Sequence, residues 1–160
     1  MKKLFVRGFT LIELLVVIGI LAVLLAITLI AINPARQFGQ ANDTKRSSDI
    51  NAILNAVGQK MADDKGVLPG AIGTTVQEIG NGTGMADLCG VLLPTYMTAL
   101  PVDPQTSYDG VVAKGAAVPS PCPTSYHTNY FIVSSTGLNP RISVYANGTQ
   151  VAVPTITVER

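Results

Sequence analysis

The side chains with the most chemical reach in this 160-residue chain are one carboxylate, two cysteines and one histidine. Glu13 is the sole charged residue from Phe9 to Ile32, a run in which only Thr10, Glu13 and Thr28 are polar. A carboxylate deep in hydrocarbon costs several kcal/mol, so it requires a partner, a function or a site near the interface where it stays solvated. Cys89 and Cys122 are the only cysteines and His127 the only histidine. On the exported side of a membrane the cysteines would form a disulfide clamping a loop-rich region. With His127 they also make three candidate metal ligands, but without the close paired spacing of a structural zinc site. No nucleophile motif surrounds His127, and Gly80, Gly82 and Gly84 lack the Lys-Ser/Thr that completes a phosphate loop. Neither catalysis nor a cofactor is indicated.

The elements that position these groups follow from composition. The chain is 48% hydrophobic and 13% charged with a formal net charge of +1, which suits one modest domain plus an unusually apolar segment. Basic residues do not cluster beyond the first seven positions and aromatics are few, so no nucleic-acid partner is expected. As a helix, Phe9 to Ile32 would extend roughly 36 Å, enough to cross a bilayer core. Lys2, Lys3 and Arg7 precede the run and the next basic residue is Arg36, so the positive-inside rule keeps the N-terminus in the cytoplasm and exports the rest. A cleaved signal peptide also explains the basic start. The run is long for such a peptide, however, and ends in Asn33-Pro34 instead of an A-x-A site.

Asn33-Pro34 predicts a break or kink in the helix. Helical periodicity resumes with Ile50, Ile53, Leu54, Val57 and Met61 on one face and Asp49, Asn51, Asn55, Gln59 and Lys60 on others. Gly58 and the Asp63–Gly66 stretch DDKG mark its weakening and exit. GTTVQEIGNGTG and AVPSPCPTS read as loops, with a short helix around Met85 to Leu93. NYFIVSS, RISVYA and TITVE read as strands, and Asn147-Gly148 between apolar runs predicts a two-residue hairpin turn. The expected fold is α+β, a helix packed on an antiparallel sheet of three or four strands. Asn81-Gly82-Thr83 and Asn147-Gly148-Thr149 match the minimal glycosylation sequon, but turn roles suffice for both.

The stretch RGFTLIE, with its basic leader and apolar sequel, resembles the class III signal of type IV prepilins and type II secretion pseudopilins. The resemblance implies a leader (1–8) cut after Gly8 by a membrane prepilin peptidase, and N-methylation of the new N-terminal Phe9. It implies a transmembrane and assembly helix (9–32), an amphipathic continuation (33–64) and a small globular domain (65–160), the ladle shape of pilin-like proteins with their long kinked helix. The α-amino group created at Phe9 would be largely protonated at neutral pH. Glu13, one helical turn on, would pair with it or with a neighbouring subunit's terminus and so set subunit register. The implied function is that of a structural subunit of a pilus, fimbrial or pseudopilus filament. Its partners would be copies of itself, the peptidase and methylase, and an inner-membrane assembly platform with its ATPase. The precursor would sit in the cytoplasmic membrane and the mature form in an extracytoplasmic filament. LLPTYMTALPVDP also resembles the Pro-rich segment of major pseudopilins, after which calcium is often bound; Asp103 and Asp109 are the oxygen donors that position offers, turn chemistry being their other role. The alternative from another class is a single-span tethered binding domain that never polymerises, which needs neither Gly8 nor Glu13.

Overall fold

The computed structural model describes residues 8–106, 114–137, 140–147 and 155–159. The chain divides into two compact units, Met1–Gln37 and Phe38–Arg160. In the first, helix α1 spans Leu11–Ile32 and none of its residues is buried. Its 22 residues extend about 33 Å, long and apolar enough to cross a membrane. Apart from Glu13 and Thr28 the helix is apolar on every side, so it has no single core-facing stripe. Asn33 ends it in the left-handed conformation, φ 38°. The Asn33 side-chain oxygen then accepts the Arg36 N–H (3.3 Å), which caps helix α2, Pro34–Asp63, with proline at the first helical position. The expected break therefore falls at Asn33.

In the second unit the stripe Ile50, Ile53, Leu54 and Val57 is buried, with Met61 partly so. These residues share one core with Tyr130, Ile132, Ile142, Val144 and Ala146 of the sheet, so α2 from Phe38 onward is the helix that the sheet covers. The four antiparallel strands β1 (Gln77–Gly80), β2 (His127–Ser134), β3 (Ile142–Asn147) and β4 (Thr155–Glu159) lie in chain order across the sheet. Alternation along β2 puts Thr128, Tyr130, Ile132 and Ser134 inside, which is the period-two pattern of a half-covered sheet.

Three expectations change. The segment GTTVQEIGNGTG contains β1, because Gln77 and Glu78 pair with Ile132 and Phe131 while glycines and turns flank only four strand residues. The short helix, α3, is confined to Cys89–Leu92. A two-residue Asn147-Gly148 turn would set Ala146 against Thr149; the ladder instead pairs Ala146 with Ile156 and Asn147 with Thr155. TITVE is thus the partner of β3, and it begins after Pro154, which has no N–H to give a ladder. Gly148, Thr149 and the rest of 148–154 lie outside the described residues.

Cys89 and Cys122 are joined in a disulfide with Cα atoms 5.8 Å apart, closing a separation of 33 residues. Beside it the buried Tyr126 hydroxyl donates to Asp87 Oδ1 (2.7 Å) and accepts the N–H groups of Leu88 (3.1 Å) and Cys89 (3.0 Å). Asn81, the first sequon residue, holds the same corner: its amide donates to the Thr124 carbonyl (2.8 Å) and accepts the Tyr126 N–H (2.9 Å). A loop of this length implies about 3 to 4 kcal/mol from the cross-link. Reduction, or the paired Cys89→Ser and Cys122→Ser substitutions, is therefore expected to lower the melting temperature of the detergent-solubilised chain by about 10 °C. A change of a degree or two in a circular-dichroism melt would contradict this.

Burial and Asp49 push the Tyr130 hydroxyl well above its usual range, and burial with Asp87 does the same to Tyr126. Both stay protonated in the folded state at pH values where the unfolded chain, with an ordinary tyrosine value of 10.0, loses its protons. Stability from this source is complete below about pH 10 and falls as pH rises beyond it, because the unfolded state then binds fewer protons. Melts between pH 9 and 12 should show that decline, with a shallower slope in Tyr130→Phe. An equal slope in the variant would remove Tyr130 from the account.

Candidate functional site

Gly8, Phe9, Thr10 and Glu13 are described, whereas the basic leader residues Lys2, Lys3 and Arg7 lie outside the described residues. Thr10 is the N-cap of α1 and Glu13 its third residue, and the two close a capping box. The Glu13 N–H donates to Thr10 Oγ1 (3.3 Å), while Glu13 Oε2 accepts both the Thr10 backbone N–H (2.8 Å) and the Thr10 hydroxyl (2.7 Å). The carboxylate is thereby folded back toward the start of the chain, where the positive end of the helix dipole also favours it. The sequence signal is Thr10-x-x-Glu13 ahead of an apolar run, a capping-box signature that a reading by hydropathy alone passes over.

Phe9 is 83% exposed and, with Ile12, Glu13, Val16 and Val17, lines one shallow groove on the side of α1. Phe9 and Glu13 thus occupy the same face, one turn apart. A Cβ built on Gly8 meets nothing within 4 Å, so the fold places no steric demand for glycine there. The same holds for Gly19 inside α1, where glycine costs about 1 kcal/mol relative to alanine.

The other candidate residues are dispersed. His127 opens β2, its Nδ1 3.6 Å from Glu78 Oε1, and does not join the Cys89–Cys122 pair in any metal-binding group. Among the described residues no three of His, Cys, Asp and Glu gather to hold a metal. Asp103 is buried, and its carboxylate receives Arg46 Nε (2.6 Å), Arg46 Nη2 (3.2 Å) and the Gln105 N–H (2.8 Å). Its oxygens thus serve a guanidinium and a turn, while Asp109, the other calcium candidate, lies outside the described residues. Arg46 also binds Asp43 Oδ1 at 2.8 Å. Arg46 lies one turn before Ile50 on the buried side of α2, a charged residue that a search for an apolar stripe passes over, and its partner 57 residues away carries no local signal.

Residues 5–29 match the family described as the prokaryotic N-terminal methylation motif. The chain therefore carries the prepilin-type signal of type IV pilins and pseudopilins, which points to a structural protein and fits a membrane-anchored precursor. No curated protein and no solved structure matches it.

Proposed function

We propose, with the methylation motif of residues 5–29 as the premise, that this chain is the precursor of a subunit of a type IV pilus or type II secretion pseudopilus filament. The prepilin peptidase cuts between Gly8 and Phe9, Phe9 becomes the methylated N-terminus, and the basic leader residues Lys2, Lys3 and Arg7 hold that end in the cytoplasm before cleavage. The peptidase reads Gly8 for its lack of a side chain, a requirement the fold itself does not impose.

The observation that carries the assembly reading is the bareness of α1, apolar all round and buried nowhere by its own chain. In the membrane lipid covers it; in the filament other copies do so. Leaving lipid for a bundle of identical helices brings no gain from the hydrophobic effect, so packing and polar pairing must drive the step. Glu13 supplies the polar pairing. Its carboxylate, held toward the chain start by Thr10, lies where a cation created at Phe9, its own or a neighbour's, would meet it. An axial offset between copies that joins amine and carboxylate is favoured over offsets that leave either alone. An assembly platform and its ATPase would supply the work of extraction.

The test is to shear the native cells and image the released material after labelling with an antibody to the globular unit. Labelled filaments that vanish when the chain is deleted support the reading. Chain found only in the membrane fraction, under conditions where the assembly machinery is active, leaves the tethered binding domain in its place.

A further inference from the structure

The globular unit carries a bare aromatic side chain and, farther along the same helix, an apolar recess large enough to take it. Phe38 is 71% exposed, although a phenyl ring is among the side chains that gain most from burial. The recess lies between the last turns of α2 and the entrance to β3. Leu54, Gly58, Met61, Pro140 and Ile142 line it, and its volume is ≈ 220 Å³. Gly58 puts no side chain into it. An apolar cavity of about 150 Å³ accommodates benzene, so the recess has room for a benzyl group.

We propose that Phe38 of one copy seats in the Leu54–Gly58–Met61–Pro140–Ile142 recess of another, a lateral contact of the assembled filament. This rests on the assembly reading and adds to it a named partner surface. Knob and recess belong to one compact unit and are separated by roughly 30 Å along α2, at 1.5 Å per residue. A parallel copy shifted outward along the helix axis by that distance brings its Phe38 level with the recess of the first. Every copy offers one knob and one recess at different places on its surface, so the contact is head-to-tail, and the shift along the axis keeps it from closing into a ring, as a filament requires. A second copy is favoured as occupant because Phe38 lies in the second turn of α2, six residues beyond the bare helix α1 that other copies cover in the assembly reading. Lipid is the competing cover for the ring, and it would leave the recess unused.

The experiment places the photo-crosslinking amino acid p-benzoylphenylalanine at position 38 of the full chain in cells that build filaments. Illumination is followed by peptide mapping of the sheared filaments. The expected product joins position 38 of one copy to residues 54–61 or 140–142 of another. Products with lipid alone, or with other positions of a second copy, overturn the contact while leaving assembly intact. In parallel, Phe38→Ala should leave the melting temperature of the solubilised chain unchanged and reduce filament yield about tenfold, with partial rescue by Phe38→Leu. Unchanged yield in Phe38→Ala also overturns the proposal. If the unsubstituted chain builds no filaments, the assembly reading itself fails and this contact with it.

Discussion

Glu13→Val is expected to be inserted and cleaved after Gly8 like the parent chain, yet to accumulate in the membrane and yield few filaments. Under the proposed function, cleavage depends on the leader and on Gly8-Phe9, and assembly on what happens to the new amine when α1 leaves the interface for an apolar bundle. An uncompensated buried charge costs about 3 to 5 kcal/mol. That corresponds to about a hundredfold or more in the equilibrium for adding one subunit. The structure supplies a control that separates charge from capping. Glu13 closes a hydrogen-bonded box with Thr10, and glutamine serves equally well in such a box because it too accepts the N-cap N–H. Glu13→Gln therefore keeps the helix start but removes the counter-charge, and it should fail to assemble nearly as completely as valine. Normal filaments from Glu13→Gln, with loss confined to Glu13→Val, would mean that the residue is a cap and not a register device.

Arg46→Met should destabilise the globular unit by about 3 to 5 kcal/mol, the cost of leaving one buried charge without its partner. Arg46 and Asp103 are 2% and 1% exposed, and the guanidinium meets the Asp103 carboxylate through two nitrogens. Those hydrogen bonds hold the arginine proton more tightly than usual, against the opposing effect of burial. With Arg46 removed, the Asp103 carboxylate keeps the Gln105 N–H but loses its counter-ion. Neutralising it in Arg46→Met/Asp103→Asn should restore at least about half of the loss, because a hydrogen-bonded amide is far cheaper to bury than a lone carboxylate. Urea unfolding of the two single variants and the double gives the coupling directly. A double variant whose loss equals the sum of the singles would show that the pair does not act as a unit. The pair also ties α2 to the segment after α3, so its loss should make the chain prone to degradation before assembly.

How much of this is legible in the sequence depends on the distance over which each signal acts. The apolar run announces α1, Asn33-Pro34 announces its end, and the spacing of Ile50, Ile53, Leu54 and Val57 announces the face of α2 that the sheet covers. NYFIVSS, RISVYA and TITVE each form strands because alternation is a local property. β1 escapes such reading: four residues set among glycines and turns become a strand only through their pairing with β2. The strand opposite β3 is likewise decided by a ladder, which overrides the turn signal at Asn147-Gly148. Arg46 shows the same limit inside a helix. Its position on the stripe is periodic, but the carboxylate that makes its burial tolerable arrives from Asp103, and no spacing rule links the two. At the N-terminus the position is reversed. Gly8, Phe9 and Glu13 carry the motif within a few residues of one another, and the Thr10–Glu13 capping box, which a reading by hydropathy alone passes over, is equally local.

The measurement that bears most directly on the central claim is mass spectrometry of the N-terminal peptide, taken from the protein in its native envelope. A peptide that begins at Phe9 and carries one methyl group is the expected result. It would mean that the motif is read by a peptidase and methylase and that the amine opposite Glu13 exists. A peptide that still begins at Met1, in cells with an active prepilin peptidase, would contradict the account and return Glu13 to the role of a helix cap at the membrane surface.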